Sequence, residues 1–434
     1  MLQNRFSPKL IAGVIVALFF GVALYFRIVP PYDQVFIGDQ IKFIAFDPYY
    51  HMRIVDNLAH NFPHLNPFDP YMLYPSGMWF GSFPFFDYLL AGIIWLIGLG
   101  SPTQQTVDIV GVYFPAVLGA LTVIPVYFIG KELFNRWAGV IAAGLVGLYP
   151  GEFLHRSIIG FTDYHVAETL FTTLAILFLI LAVKTGRHRQ LSFHHIKRRD
   201  WAVVAKPIFY SLLAGIFLGI YFLTWMGALL FVFIIFLYFI VQFIIDHLRG
   251  GPTNYLCFVS TVIFSIALLM LLPTSPDKLH LAALGIAIFT PIGLAVISQF
   301  LKVRGIKPIF YPVILLELGL ASLALLHIPD PLLLRSIVGT LQGFFSWPIE
   351  TTVSEMQPLL FPGGDFSLSS AWNTFTTGFF LSLISLGILI YLVIKRGEAE
   401  KTLLVVWSLV ILAATLAMWR FGYYFTINVA LLTG

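Results

Sequence analysis

The sequence predicts an all-α polytopic membrane protein with long polar loops on one side, and three observations predict it. Of 434 residues, 59% are hydrophobic and 11% charged, with a mean hydropathy of +0.89, more apolar surface than a soluble domain of this size can hide. Apolar runs recur along the chain at roughly the 20 residues that cross a bilayer. Lys and Arg gather in the short connections between those runs, as they do at cytoplasmic loops. The formal charge of +4 and pI near 9.0 therefore express topology, and no nucleic-acid partner is indicated. The one cysteine, Cys257, sits inside an apolar run, so no internal disulfide forms.

Arg5 and Lys9 place the N-terminus in the cytoplasm. The run at 10–28 lacks a small-residue cleavage site behind it, so it reads as a retained span. A polar-aromatic loop follows from 30 to 83, carrying Asp33, Asp39, Asp47, Asp56 and Asp69. Loops of this length are functional or disordered, and the Tyr, Phe and Pro content argues against disorder. Runs 85–99 and 109–130 both resemble spans. Lys131, Glu132 and Arg136 form one basic connection, and residues 184–206 a second. Both should be cytoplasmic, which fits the two spans between them, 137–149 and 166–183. Working back to the first span leaves one crossing between 83 and 131, so 85–99 is expected at the outer interface.

Further spans fall at 208–225, 228–245, 256–272, 281–300, 309–326, 375–394 and 403–418. Connections with Lys302, Arg304 and Lys307, and with Lys395, Arg396 and Lys401, then lie inside. External loops cover about 30–107 and 329–371, and Trp419-Arg420 is also outside. A last apolar run begins at Phe421 and stops at Gly434, so the chain is expected to continue. There is no internal repeat and no pair of matching broken helices, which weighs against a transporter.

The chemistry concentrates at 151–168, GEFLHRSIIGFTDYHVAE. Between two apolar runs it holds Glu152, His155, Arg156, Asp163, His165 and Glu168. A cluster like this at the mouth of a membrane helix points to work at the interface. Asp163 and His165 are two apart and share one side only in extended backbone; Gly160 and Thr162 supply a non-helical approach. The structural alternative is that Asp163 caps a helix beginning near Val166. Asp47-Pro48 likewise reads as a cap with Pro at the first helical position. Thr352-Val353-Ser354-Glu355 fits a capping box, yet Pro358 and Gly363-Gly364 leave little helix to cap. The topology puts Asp47, Asp163 with His165, and Glu355 on one membrane face. Two carboxylates and an imidazole suit a divalent cation with positions left for a phosphate. His51, His155 and Arg156 are candidates for phosphate contact, and His194-His195 reads as solvated.

DPYYHMR, PGEFLHRSIIGFTDYHVAE, YFLTW, TVSE and WRFGYY resemble, in order and spacing, the motifs of the STT3/AglB family, the catalytic subunit of oligosaccharyltransferase. The Asp-x-His form is similar to the archaeal branch; bacterial members tend to Asp-x-Asp and eukaryotic ones to Asp-Asn-Glu. The resemblance implies a GT-C transmembrane domain over 1–434. It also implies a C-terminal globular domain with a Trp-Trp-Asp-Tyr-Gly motif that reads the Ser/Thr of the sequon, and that motif is absent from this sequence. The implied activity is inverting, metal-dependent transfer of an oligosaccharide from a dolichyl-phosphate or -diphosphate carrier to Asn of Asn-X-Ser/Thr. The implied partners are the lipid-linked donor, the acceptor polypeptide and membrane lipids, and the implied location is the cell membrane with an extracytoplasmic active site.

Carried over residue by residue, Asp47, Asp163 and His165 resemble the ligands of Mn²⁺ or Mg²⁺. Glu355, with Asp47, resembles the acid pair that holds the acceptor amide. Arg420 resembles the arginine near donor phosphate and acceptor, with His51 and Arg156 as further contacts. After Tyr74-Pro75-Ser76-Gly77, where archaeal members often carry a histidine, this chain has Met78-Trp79-Phe80-Gly81-Ser82. Another GT-C transferase, such as a protein O-mannosyltransferase or a lipid-sugar transferase, would share the first-loop acid. The Val-Ser-Glu loop and Asp-Tyr-His motif argue against it. A transporter would want its ionisable groups inside the spans; here the acids sit in loops. A purely structural membrane subunit would need none of these motifs.

Overall fold

The computed structural model describes residues 7–79, 84–225, 227–327, 331–346 and 353–434. Among the described residues, nine helices are long and apolar enough to cross a membrane. They overlap the runs at 10–28, 109–130, 166–183, 208–225, 228–245, 256–272, 281–300, 375–394 and 403–418, with ends that differ by up to seven residues, as at Pro8–Val35 and Trp201–Thr224. Local chemistry fixes several of their starts. Ser7 accepts the Leu10 amide at the head of Pro8–Ile28, where Pro8 takes the first turn. Thr103 caps Gln104–Leu121, Asn135 caps Arg136–Leu148 and Asp277 caps Lys278–Val303. The run read at 309–326 is the helix Phe310–His327.

Arg136–Leu148 has only 13 residues, about 20 Å at 1.5 Å per residue. It still joins the Asn135 end of the bundle to the Pro150 end, because it is wedged against Pro8–Ile28, Val123–Leu133 and the final helix Gly422–Thr433. Its contact with Val123–Leu133 needs glycine, since a Cβ on Gly130 would lie 2.7 Å from the Gly139 Cα. Phe85–Ile97 is equally short and packs differently, along Asp47–Asn61. Phe62 meets Trp95 at one end of that pair and His51 meets Asp87 nearer the other.

His165–His188 is the axis of the bundle. Of its most apolar stretch 83% is buried, against 22% for the first helix, which separates core from periphery. Trp201–Thr224 lies along it, with Val123–Leu133, Gln104–Leu121, Asn254–Leu271 and Ala399–Ala417 around it. Its 24 residues run about 36 Å, so its two ends belong to opposite faces. At the far end the basic connections meet. Lys184 Nζ donates to the Glu132 carbonyl at 2.9 Å, Arg187 Nη1 to the Gly397 carbonyl at 2.7 Å, and Lys302 Nζ to the Gly251 carbonyl at 2.6 Å.

The long segments read as loops carry more structure than the sequence suggested. The first holds Asp47–Asn61 and two antiparallel strand pairs, Phe36–Ile37 with Gln40–Ile41 and Phe68–Asp69 with Met78–Trp79. Inside 329–371 lies the helix Pro331–Phe345, packed against Lys278–Val303 and Ala399–Ala417. Its apolar residues recur at helical spacing, but it is too short to stand out as a span.

Candidate active site

The 151–164 segment is held from three sides. Arg27, fully buried, donates from Nε to Ser157 Oγ at 2.8 Å and from Nη1 to the Gly147 carbonyl at 3.0 Å. The Ile159 amide donates to the Arg27 carbonyl at 2.9 Å. From the first loop, the Ile44 amide donates to the Gly160 carbonyl. From Gln104–Leu121, the Gly111 and Val112 carbonyls accept Thr162 Oγ1 and the Gly160 amide. The turn into the segment needs Gly151, whose φ is +96° and whose added Cβ would stand 2.7 Å from the Thr374 Cα. Gly151→Ala is expected to destabilise the protein by about 1–3 kcal/mol, read as a lowered thermal midpoint in detergent.

Asp163 is nearly wholly buried and does not cap the following helix; Tyr164 is the N-cap, with no side-chain bond. The Asp163 Oδ1 accepts the Tyr164 amide at 2.6 Å. Its two oxygens face two imidazoles: Oδ1 lies 3.4 Å from His51 Nε2, and Oδ2 lies 3.4 Å from His165 Nε2. Each imidazole is backed by a second carboxylate. His51 Nδ1 is 2.8 Å from Asp87 Oδ1, and His165 Nδ1 is 3.5 Å from Glu168 Oε1. Burial raises the Asp163 carboxyl, but the His165 charge and the His51 and Tyr164 bonds outweigh it and hold Asp163 well below the usual carboxylate range. Burial opposes charge on His51 as well, yet Asp87, then Asp163, push it up to about 10.

A second cluster stands beside this chain. Arg156 Nε donates to Glu152 Oε2 at 2.8 Å, and its Nη2 pairs with Glu355 Oε2. The other Glu355 oxygen lies 3.9 Å from Arg420 Nη1. Burial raises the Glu355 carboxyl, while Arg156, then Arg420 and His165, bring it below its ordinary value. Glu355 sits in the single turn Ser354–Met356, pinned to Arg420's turn where the Trp419 amide donates to the Gln357 carbonyl at 2.9 Å. Thr352, the start of the capping-box reading, lies outside the described residues, as do Phe80 to Ser82.

The structure thus brings Asp163 to His165, and Glu355 to Arg156 and Arg420. Asp47 begins Asp47–Asn61, exposed, one turn before His51, and makes no side-chain cap there. Its charge still reaches Tyr164, whose hydroxyl is raised by burial, then by Glu168, Asp163 and Asp47, with Arg420 opposing. Charged groups from three chain regions therefore act on one side chain. His51 has both ring nitrogens facing carboxylates, and His155 is exposed.

Among the described residues no three His, Cys, Asp or Glu side chains are placed to hold an ion together. Asp163 Oδ2 and His165 Nε2 do fit one as a pair. Two atoms each about 2.0–2.2 Å from an ion stand roughly 3.0–3.5 Å apart, and these stand 3.4 Å apart. A mixed carboxylate and imidazole set suits Mn²⁺ better than Mg²⁺. Sequence reasoning missed Asp87, Glu152, Glu168, Tyr423 and Tyr424 as site residues. Signals existed: Asp87 is a lone acid in an apolar run, and Glu152 with Arg156 are four apart, on one helical face.

Comparison with known proteins gives the context. Dolichyl-phosphooligosaccharide-protein glycotransferase 3 of Archaeoglobus fulgidus is 28% identical over 93% of this chain and 47% of its own length. The dolichyl-monophosphooligosaccharide–protein glycotransferase AglB of Haloferax volcanii is 30% identical over 76% of this chain and 32% of its own. The chain therefore spans less than half the length of these relatives. The archaeal oligosaccharyltransferase AglB of Archaeoglobus fulgidus, solved with an inhibitory peptide and a dolichol-phosphate, superposes with a TM-score of 0.87. It is 25% identical and is matched over 98% of this chain and 50% of its own. A family model described as oligosaccharyl transferase STT3, N-terminal, matches residues 14–431: the chain belongs to the STT3 oligosaccharyl transferase family.

Proposed function

We propose that the chain is the membrane-embedded catalytic region of an enzyme that transfers an oligosaccharide from a dolichyl-phosphate or -diphosphate carrier to Asn in Asn-X-Ser/Thr. Transfer is inverting and depends on Mn²⁺ or Mg²⁺. One observation carries the reading: Asp163 with His165, and Glu355 between Arg156 and Arg420, converge at one mouth of the most enclosed helix. The relatives' printed names and the neighbour's dolichol-phosphate and peptide support the substrate classes.

An asparagine amide is a poor nucleophile because its nitrogen lone pair is delocalised into the carbonyl. Glu355 and Asp47 accept its N–H bonds and favour rotation out of conjugation, at the expense of binding energy. The nitrogen then bonds to the anomeric carbon from the face opposite the lipid phosphate. The carbon–oxygen bond breaks, its electrons pass to the phosphate, and the nitrogen sheds one proton to a carboxylate of the site. Arg420 lends fixed positive charge to the departing phosphate. Asp163 and His165, with Asp47, would hold the divalent ion, which would supply Lewis-acid neutralisation of that phosphate. His51 stands behind Asp163 and keeps it aimed.

The basic end of the bundle is cytoplasmic, so the N-terminus is inside and the site faces out, beside the lipid that carries the donor. The test is glycan transfer to a sequon peptide by the full-length membrane protein, with an Asn→Gln peptide as control. Chelation is expected to reduce transfer by more than about 100-fold and Mn²⁺ to restore it. Asp47→Ala is expected to cost at least as much. Undiminished transfer after chelation, or transfer to the Gln peptide, contradicts the reading.

A further inference from the structure

Glu168 has no part in the chemistry above, yet it is a fully buried carboxylate one turn into the central helix. One of its oxygens, Oε2, accepts from the Tyr423 hydroxyl at 2.8 Å and from the Tyr424 hydroxyl. The other, Oε1, has no hydrogen-bond partner, and neither has His165 Nδ1. These two buried atoms face each other at 3.5 Å. The Tyr423 ring also lies against the imidazole, with centroids 5.2 Å apart, so His165 is bounded on both sides.

We propose that Glu168 is a positioning residue: anchored by Tyr423 and Tyr424, it holds the proton on His165 Nδ1 and so keeps Nε2 free for the ion shared with Asp163. A ring nitrogen can bind a metal only through a lone pair, and the hydrogen bond made by the other nitrogen decides which one has it. A carboxylate at Nδ1 accepts and never donates, so it fixes this choice. The tyrosines satisfy the far oxygen, leaving Oε1 for His165 alone. The last described helix thereby sets the orientation of a ligand more than 250 residues earlier in the chain, as the separation of Tyr423 and Glu168 shows. This rests on the proposed ion at Asp163 and His165.

The experiment is electron paramagnetic resonance of Mn²⁺ added to the metal-free membrane protein, reading affinity and the electron-spin-echo modulation from a directly bound imidazole nitrogen. The parent is expected to show that nitrogen. Glu168→Gln, nearly the same shape, can turn its NH₂ toward Nδ1 and is expected to weaken Mn²⁺ binding about 10- to 100-fold with loss of the nitrogen signal. Tyr424→Phe, which keeps the ring, is expected to weaken it less, in the same direction. Unchanged affinity and nitrogen signal in folded Glu168→Gln and in Tyr424→Phe overturn the proposal for Glu168 alone. A parent without a bound imidazole overturns the ion site itself, and with it this role. A parent that binds Mn²⁺ as described but transfers no glycan leaves the Glu168 role standing and removes the proposed activity.

Discussion

Asp163→Asn is expected to lower glycan transfer at least about 1000-fold while leaving the fold intact. The two halves of that expectation have different origins. The amide oxygen of Asn can still accept the Tyr164 amide that Asp163 Oδ1 accepts at 2.6 Å, so the turn into the central helix keeps its bond. What disappears is the charge between His51 and His165. An ion then loses an anionic ligand, and the amide NH₂ points a donor where a donor is least useful. Loss of the ion removes several kcal/mol of charge stabilisation at the leaving phosphate, and each 1.36 kcal/mol is about tenfold in rate. The readouts are initial rate of sequon-peptide glycosylation and thermal midpoint. A rate within tenfold of the parent contradicts the role.

Glu355→Gln is the second large effect, with an expected loss of about 100- to 1000-fold, the scale of removing one preorganised polar group from a reacting centre. The carboxylate stands between two guanidinium groups, paired with Arg156 and 3.9 Å from Arg420. Gln keeps one acceptor oxygen but lacks the charge, and its NH₂ is a donor where the proposed mechanism needs an acceptor for the asparagine N–H; Arg420 is left facing an uncharged neighbour. The loss should fall on kcat more than on KM, because the amide is gripped most tightly when its nitrogen has left conjugation. An unchanged kcat with a raised KM would assign Glu355 to substrate capture alone.

Much of this arrangement is legible in the amino-acid sequence. Apolar run length placed the crossings because a bilayer demands it. The extended backbone expected between Asp163 and His165 is not what joins them: Tyr164 is helical at φ −68° and ψ −16°, and the two side chains meet at the turn into the helix that begins at His165. The helix Pro331–Phe345 was missed although its apolar residues recur at helical spacing, since at 15 residues it is too short to stand out as a span. Glu168 lies three residues after His165, a local spacing, but the carboxylate behind His51 and the tyrosines behind Glu168 were hidden for another reason. Asp87 reaches His51 across 36 residues, and Tyr423 reaches Glu168 across 255; only tertiary packing joins them. Arg156 shows the intermediate case. Its bond to Glu152 is local and readable as a four-residue spacing, whereas its bond to Glu355 crosses 199 residues.

The most direct test is the position of Mn²⁺ by anomalous diffraction from crystals of the full-length membrane protein grown with the ion. The account predicts a peak about 2.0–2.4 Å from both Asp163 Oδ2 and His165 Nε2, with the Asp47 carboxylate drawn into the same shell. A saturated crystal whose peak lies elsewhere, or whose Asp163 and His165 face no metal, would contradict it.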